Sequence, residues 1–240
     1  MQWEKFIRDL DKYYYGEWIL AFVEIVVIFL LIKSKHGQNR LINNLFIFYL
    51  SFDLFLLLVM CFLPYIDYIS WPFFYRLQNI LNTCITFIEL SIYYYYFLIL
   101  LGKKYAASLI LLYSIFSLLM IVYLSTNFSF LSDRLRYVSN SISVTEFIFI
   151  LPYCFIYFYK ILHENSDLTV FSRPSFWITT GIFYFSLVSI PYYLMYSYFT
   201  SLPASFQLKT LFVLLFYFLP FIINILFIGK AVLCRKSLTI

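Results

Sequence analysis

Long apolar runs alternate along this chain with short polar connections. A run of about 20 residues at 1.5 Å per residue crosses the hydrocarbon core of a bilayer. On that basis the pattern predicts seven helices, over residues 18–32, 41–63, 78–102, 105–125, 146–162, 174–198 and 210–229. The connections have distinct characters. Residues 33–40, Lys-Ser-Lys-His-Gly-Gln-Asn-Arg, are basic and hold no acid. Residues 64–75, with Trp71 and Pro72, read as a turn leading into the third helix, and Lys103-Lys104 closes that helix. Residues 126–145 form the longest polar connection, rich in Ser and Asn with Asp133, Arg134 and Arg136. That stretch reads as a solvated linker, and it is also the best candidate for an extramembrane recognition loop.

Proline marks the second half of the pattern. Pro152, Pro191 and Pro220 fall inside the fifth, sixth and seventh predicted helices, where the ring removes an N–H and predicts a kink with freed carbonyls. Pro174 opens the sixth, a first-turn position where the missing N–H costs nothing. The first four helices carry no such interior proline, so the halves show no internal repeat of the kind that builds many transporters.

Composition agrees with an all-α integral membrane protein. Hydrophobic residues make up 63% of the chain and charged residues 12%, which leaves no stretch for a soluble domain of useful size. The net charge of +5 does not point to nucleic acid, because the basic residues sit in short clusters between apolar runs. They read as topology signals and headgroup contacts. Seven basic residues fall on the side of the N-terminal tail and ten on the other. Those of the tail are mixed with Glu4, Asp9, Asp11 and Glu17. The expected arrangement is therefore N-terminus outside and C-terminus cytoplasmic, in the plasma (inner) membrane. The mixed-charge opening segment lacks a signal-peptide pattern, so the first helix is expected to persist. Cys61, Cys84, Cys154 and Cys234 are widely spaced and signal neither a disulfide framework nor a redox pair.

Glu24, Asp53 and Glu89 change the picture, because each is an acid inside an apolar run. A charge at a helix centre costs roughly 2.5–3.5 kcal/mol on insertion scales, so each must face protein or water. At about 100° per residue Asn82, Thr86, Glu89, Tyr93 and Tyr96 share one sector, which places the third helix in the middle of a bundle. No basic residue lies at comparable depth, and at least one of the three acids is expected to be neutral at pH 7. A proton, cation or ligand-amine site is one reading; interhelical hydrogen bonding with Ser, Thr, Tyr and Asn is the other. For Glu24, placed nearer the outer interface, the hydrogen-bonding reading is favoured. Asn224, which shares a face with Tyr217 and Pro220, is expected to bond a carbonyl freed by the proline or to meet Asp53. Glu146, Tyr153, Tyr157 and Lys160 share a face of the fifth helix, with Glu146 and Lys160 read as interface anchors at its two ends.

Most enzyme classes lack their residues. His36 and His163 both fall at the cytoplasmic edge, which disfavours a bis-His haem or a zinc site. No His-Glu-x-x-His, Gly-x-Ser-x-Gly or Gly-rich phosphate loop occurs. Only one of the intramembrane acids is an aspartate, so a paired-aspartate protease is not indicated. No catalytic residue, metal or cofactor is expected.

Seven spans, an outer N-terminus and a short cytoplasmic tail together resemble the seven-transmembrane sensory modules of bacteria. Residues 173–184, Arg-Pro-Ser-Phe-Trp-Ile-Thr-Thr-Gly-Ile-Phe-Tyr, resemble the sixth-helix opening of small bacterial seven-helix membrane proteins associated with histidine kinases. The resemblance implies a non-catalytic sensory or regulatory protein that relays a signal to a separate histidine kinase or other effector. A small proton- or cation-coupled transporter or channel using Glu89 and Asp53 is the alternative. The expected surroundings are the lipid bilayer, with Glu89, Asp53, Glu24, Tyr93 and Asn224 as candidate ligand or proton-site residues.

Overall fold

The computed structural model describes residues 15–34, 40–62, 71–127, 134–163, 170–201 and 206–234, and all regular structure among them is helical. Helix α1 is Tyr15–Lys33, α2 Arg40–Phe62, α3 Trp71–Leu101, α4 Lys103–Asn127, α5 Arg134–His163 and α6 Pro174–Ser201. The last rod comprises α7, Phe206–Val213, a π-helical turn, Leu214–Phe218, and α8, Leu219–Leu233. Among the described residues six helices are long and apolar enough to cross a membrane, which makes this a multi-pass membrane protein. The N-terminal tail, His36, the centre of the 33–40 loop and Asp133 lie outside the described residues, as do the side chains of Asn82 and Cys61.

Two predicted boundaries are corrected. The third helix begins at Trp71, not near residue 78. Pro72 reads as a turn residue, yet it sits in the first helical turn, where a proline is harmless. The fifth helix begins at Arg134, not near residue 146. The polar tract 134–145 carries Leu135, Val138 and Ile142 at helical spacing, and that periodicity prevails over the weak helix propensity of its Ser and Asn. Of the predicted 126–145 recognition loop, residues 126–127 and 134–145 are therefore helical, and 128–133 lie outside the described residues. The α3–α4 break falls at Gly102, whose φ of 74° is the left-handed conformation only glycine adopts readily.

Proline effects differ among the three helices. Both α5 and α6 remain continuous α-helix through Pro152 and Pro191. Before Pro220 the last rod instead widens into the π-helical turn, and the flanking residues Val213 and Leu219 keep ordinary helical dihedrals. The proline ring would clash with the carbonyl four residues earlier, that of Phe216, and one wide turn relieves the clash while the rod continues.

Short connections make consecutive helices antiparallel, and side-chain contacts fix their registers. Phe46 meets Tyr96 and Tyr49 meets Tyr93 between α2 and α3. Phe158 meets Phe176 and Phe147 meets Phe185 between α5 and α6. Trp177 stacks on Phe227, and Phe185 lies against Phe221, between α6 and α8. In order of adjacency α1, α2, α3, α5, α6 and α8 form a ring, closed where α8 packs on α1. Helix α4 docks outside that ring against α3 and α5.

Two glycines let α8 approach its neighbours. A Cβ on Gly181 of α6 would lie 2.7 Å from Asn224 Oδ1 and 3.2 Å from the Asn224 carbonyl; one on Gly229 would lie 3.1 Å from Val27 of α1. Close approach through small residues compensates for the weak hydrophobic driving force between helices in lipid. Lys33, Lys104, Lys160 and Lys230 sit near helix ends on the same side of the bundle, here called the basic end. Lys230 extends over the Trp177 ring at 5.6 Å, so its stem follows apolar surface while its charge lies at the rim.

Candidate functional site

The ring interior is lined with polar side chains at successive depths. Buried Ser175 and Thr179 lie in the first turns of α6, close to the basic end. Glu24, Asp53, Glu89, Glu146, Ser186, Ser189 and Asn224 lie deeper, and all are buried. No Lys, Arg or His is buried among the described residues, so these carboxyl groups have no counter-charge at their depth.

Helix α3 supplies the central group. Counting from Leu101 at about 1.5 Å per residue, Glu89 lies about 18 Å from the basic end, Tyr93 about 12 Å and Tyr96 about 7.5 Å. One helical face presents all three inward. Tyr93 donates its hydroxyl to Glu89 Oε1 at 2.6 Å. Asn224 Nδ2 of α8 donates to the Tyr93 hydroxyl at 3.1 Å. Asn224 therefore bonds neither a carbonyl freed by Pro220 nor Asp53, as the sequence leads one to expect. Its Nδ2 faces Tyr93 because Gly181 lets α8 close on α6 at that level.

A second network ties α3 to α5 and α6 nearer the basic end. The Tyr96 hydroxyl contacts the Ser175 carbonyl and Thr179 Oγ1, both at 3.0 Å. Tyr157 donates to Ser175 Oγ at 2.7 Å. These groups are mutually satisfied, which makes them the structural fastening of the bundle. Burial of Tyr157 and Tyr153 agrees with an inward tyrosine stripe on α5.

Glu24 and Asp53 face each other across the α1–α2 contact. Glu24 lies nine residues from each end of α1 and is fully buried, so its predicted place nearer the outer interface is corrected to mid-helix. Residues 15–17, which extend the helix at its start, account for the difference. Among the described residues no donor reaches either Glu24 oxygen. Glu24 and Asp53 are therefore each a buried acid with another acid, and no base, across the helix contact.

Glu146 is the residue that sequence reasoning misplaced. It is fully buried, and neither of its oxygens has a hydrogen-bond partner among the described residues. With α5 starting at Arg134, Glu146 lies twelve residues inside the helix, not at an interface. Its partner level follows from ring contacts: Tyr94 and Phe97 of α3 both meet Tyr153. Helices α3 and α5 run in the same direction, so two turns away Glu146 stands level with residues 87–90, and Glu89 is its polar neighbour. Lys160, by contrast, is exposed near the basic end, as an anchor should be. The signal that would have found Glu146 is the apolar spacing of Leu135, Val138 and Ile142 ahead of it.

Comparison with family models, with curated proteins and with solved structures gives no match in any of the three. The reading of this site therefore rests on its own geometry.

Proposed function

We propose that the chain is a seven-helix sensory or regulatory protein of the plasma (inner) membrane, without catalytic activity, that passes a helix movement to a separate partner such as a histidine kinase. Its N-terminus lies outside and its C-terminus in the cytoplasm. Helix α1 supplies the seventh span; it is apolar over most of its 19 residues and packs on α2 and α8. Clustering of Lys33, Lys104, Lys160 and Lys230 at one end supports that end as cytoplasmic.

The observation that carries the reading is the Glu89–Tyr93–Asn224 chain of hydrogen bonds. It ties a buried acid of the first half to α8, the helix that follows the π-helical turn and holds Pro220. Anything that binds Glu89 competes for the Tyr93 hydroxyl and weakens the hold on Asn224. Relay requires an element with two arrangements that the input biases. A rod with a wide turn in place of regular bonds is the cheapest place in this bundle for one.

The second reading, a proton- or cation-coupled carrier, is favoured by the succession of polar side chains from Ser143 and Glu146 to Ser175 along the ring interior. The two separate in one set of measurements. Protein in nanodiscs, spin-labelled at Leu162 and Leu233 near the basic end, is expected to show a shifted distance distribution in Asn224→Ala. Cross-linking in native membranes is expected to recover a signalling protein. An unchanged distance, together with proton-driven uptake into proteoliposomes that Glu89→Gln abolishes, overturns the sensory reading in favour of the carrier.

A further inference from the structure

The deepest polar layer of the ring contains more oxygen atoms than it has partners. Both Glu146 oxygens, Ser186 Oγ, Ser189 Oγ and Asn224 Oδ1 are buried without a hydrogen-bond partner among the described residues. Native interiors leave few such atoms unpaired, and each calls for a physical explanation. Registers bring several of them to one level. Tyr96 of α3 meets Thr179 of α6, and the two helices run oppositely, so two turns deeper Glu89 stands level with Ser186. Thr179 and Ser186 are seven residues apart and share a face. Phe147 of α5 meets both Phe185 and Tyr193 of α6, and Ser189 lies between those two rings in sequence, next to the level of Glu146. Asn224 joins from α8 through Tyr93.

We propose that Glu89, Glu146, Ser186 and Ser189, with Asn224 at the edge, form a binding site for a small hard monovalent cation between α3, α5, α6 and α8. This rests on the functional reading above and names the input to that site. The donors are all oxygens, the set that selects hard cations over soft or borderline metals. Negative charge without a buried base selects a cation over an anion. Among the described residues no three His, Cys, Asp or Glu side chains form a group that could hold a metal ion, and divalent calcium or magnesium would ask for more oxygen ligands and closer geometry than this layer offers. Proton and sodium ion share this chemistry, since a carboxyl pair can hold either between its oxygens.

The remaining titratable neighbours do not compensate the pair. Tyr93 and Tyr94 of α3 and Tyr193 of α6 lie within electrostatic reach of Glu146, and Tyr49 and Asp53 of α2 within reach of Glu89. Tyr217 of the π-helical turn lies on the same side as Glu89. A cation here would bridge α3 to α5 and α6, and would draw Glu89 away from Tyr93. That is how occupancy would reach Asn224 and α8.

Purified full-length protein in nanodiscs tests the site with radiolabelled sodium in a choline chloride background, and with protons counted by an indicator dye after a pH step. Sodium binding that Glu146→Gln weakens by roughly a hundredfold, the loss expected on removing one of two buried charged partners, supports a sodium site. Proton uptake lower by about one per chain in Glu146→Gln, without sodium binding, supports a proton site. Ser186→Ala keeps both carboxyls and the fold, and is expected to weaken sodium binding by about fivefold, one neutral oxygen ligand. If sodium binding and proton uptake in both variants equal those of the natural chain, the site is overturned. The α8 distance shift in Asn224→Ala is read separately, so the sensory reading can stand when the cation site falls. Cation binding without any α8 shift leaves the site standing and removes the relay.

Discussion

Helices α3 and α4 follow each other with one residue between them, yet they occupy opposite situations. Half of the α3 span is buried inside the protein, against 17% of the α4 span. The more apolar of the two, α4, is also the more lipid-exposed, because it has less polar surface to hide. Its Ser108 and Ser114 donate to their own backbone carbonyls at Tyr105 and Ile110, a local arrangement to which Ser108 adds only a long bond accepted from Tyr153 of α5. Helix α3 carries Glu89, Tyr93 and Tyr96, whose partners lie on α6 and α8 or along α3 itself. In a solvent as apolar as the side chains, polar groups decide which helix goes inside.

The sharpest way to break this comparison is to give α4 what α3 has. Leu118 lies on the outer face of α4 at 62% exposure. Leu118→Lys is expected to cost about 3 kcal/mol of insertion free energy, read as loss of membrane-integrated protein in a glycosylation-reporter assay. Normal integration would mean that α4 is covered by protein, and the contrast with α3 would collapse. Gly181→Ala acts on the other side of the comparison, where α6 and α8 enclose the polar layer. The added methyl would meet Asn224 Oδ1 at 2.7 Å and backbone at 3.2 Å, for an expected cost of about 1–3 kcal/mol. Its measure is the unfolding midpoint in detergent. An unchanged midpoint would show that α8 can retreat freely, and the hold of Asn224 on Tyr93 would lose its structural basis.

What the sequence showed, and what it hid, follows the same physics. Glu24, Asp53 and Glu89 were legible because a carboxyl in an apolar run has few alternatives to burial, and the structure places all three inside the ring. Tyr93 and Asn224 were legible as inward positions, but their bond to each other was not. It depends on Gly181 and Gly229 setting how closely α8 approaches, and an interhelical distance leaves no trace in one helix's periodicity. Glu146 was hidden by composition. Ser and Asn in residues 139–143 read as loop, although the helix runs through them, and a boundary error of twelve residues moved the acid from mid-bundle to the rim. The break at Gly102 was masked by Lys103 and Lys104, whose charges explain a helix end without any backbone cause. The helices over 41–63 and 174–198 were close to the observed Arg40–Phe62 and Pro174–Ser201 because their ends coincide with charge or proline.

A paired hydroxyl deletion gives the smallest and most discriminating effect. Tyr96→Phe removes a phenol that reaches Ser175 and Thr179 on α6, and leaves its ring against Phe46 and Phe97 unchanged in size. Hydrogen bonds between membrane helices average about 0.6 kcal/mol because the separated helices also find partners. Ser114→Ala removes a hydroxyl bonded only to its own helix, and is expected to change stability by less than about 0.3 kcal/mol, with either sign, since such back-bonding slightly destabilises a helix. Both belong in one steric-trap or urea titration series, where common conditions cancel errors in the reference state. A loss for Tyr96→Phe that does not exceed the change for Ser114→Ala would mean that the α3 hydroxyls fasten nothing. The inward position of α3 would then rest on Glu89 and its neighbours alone.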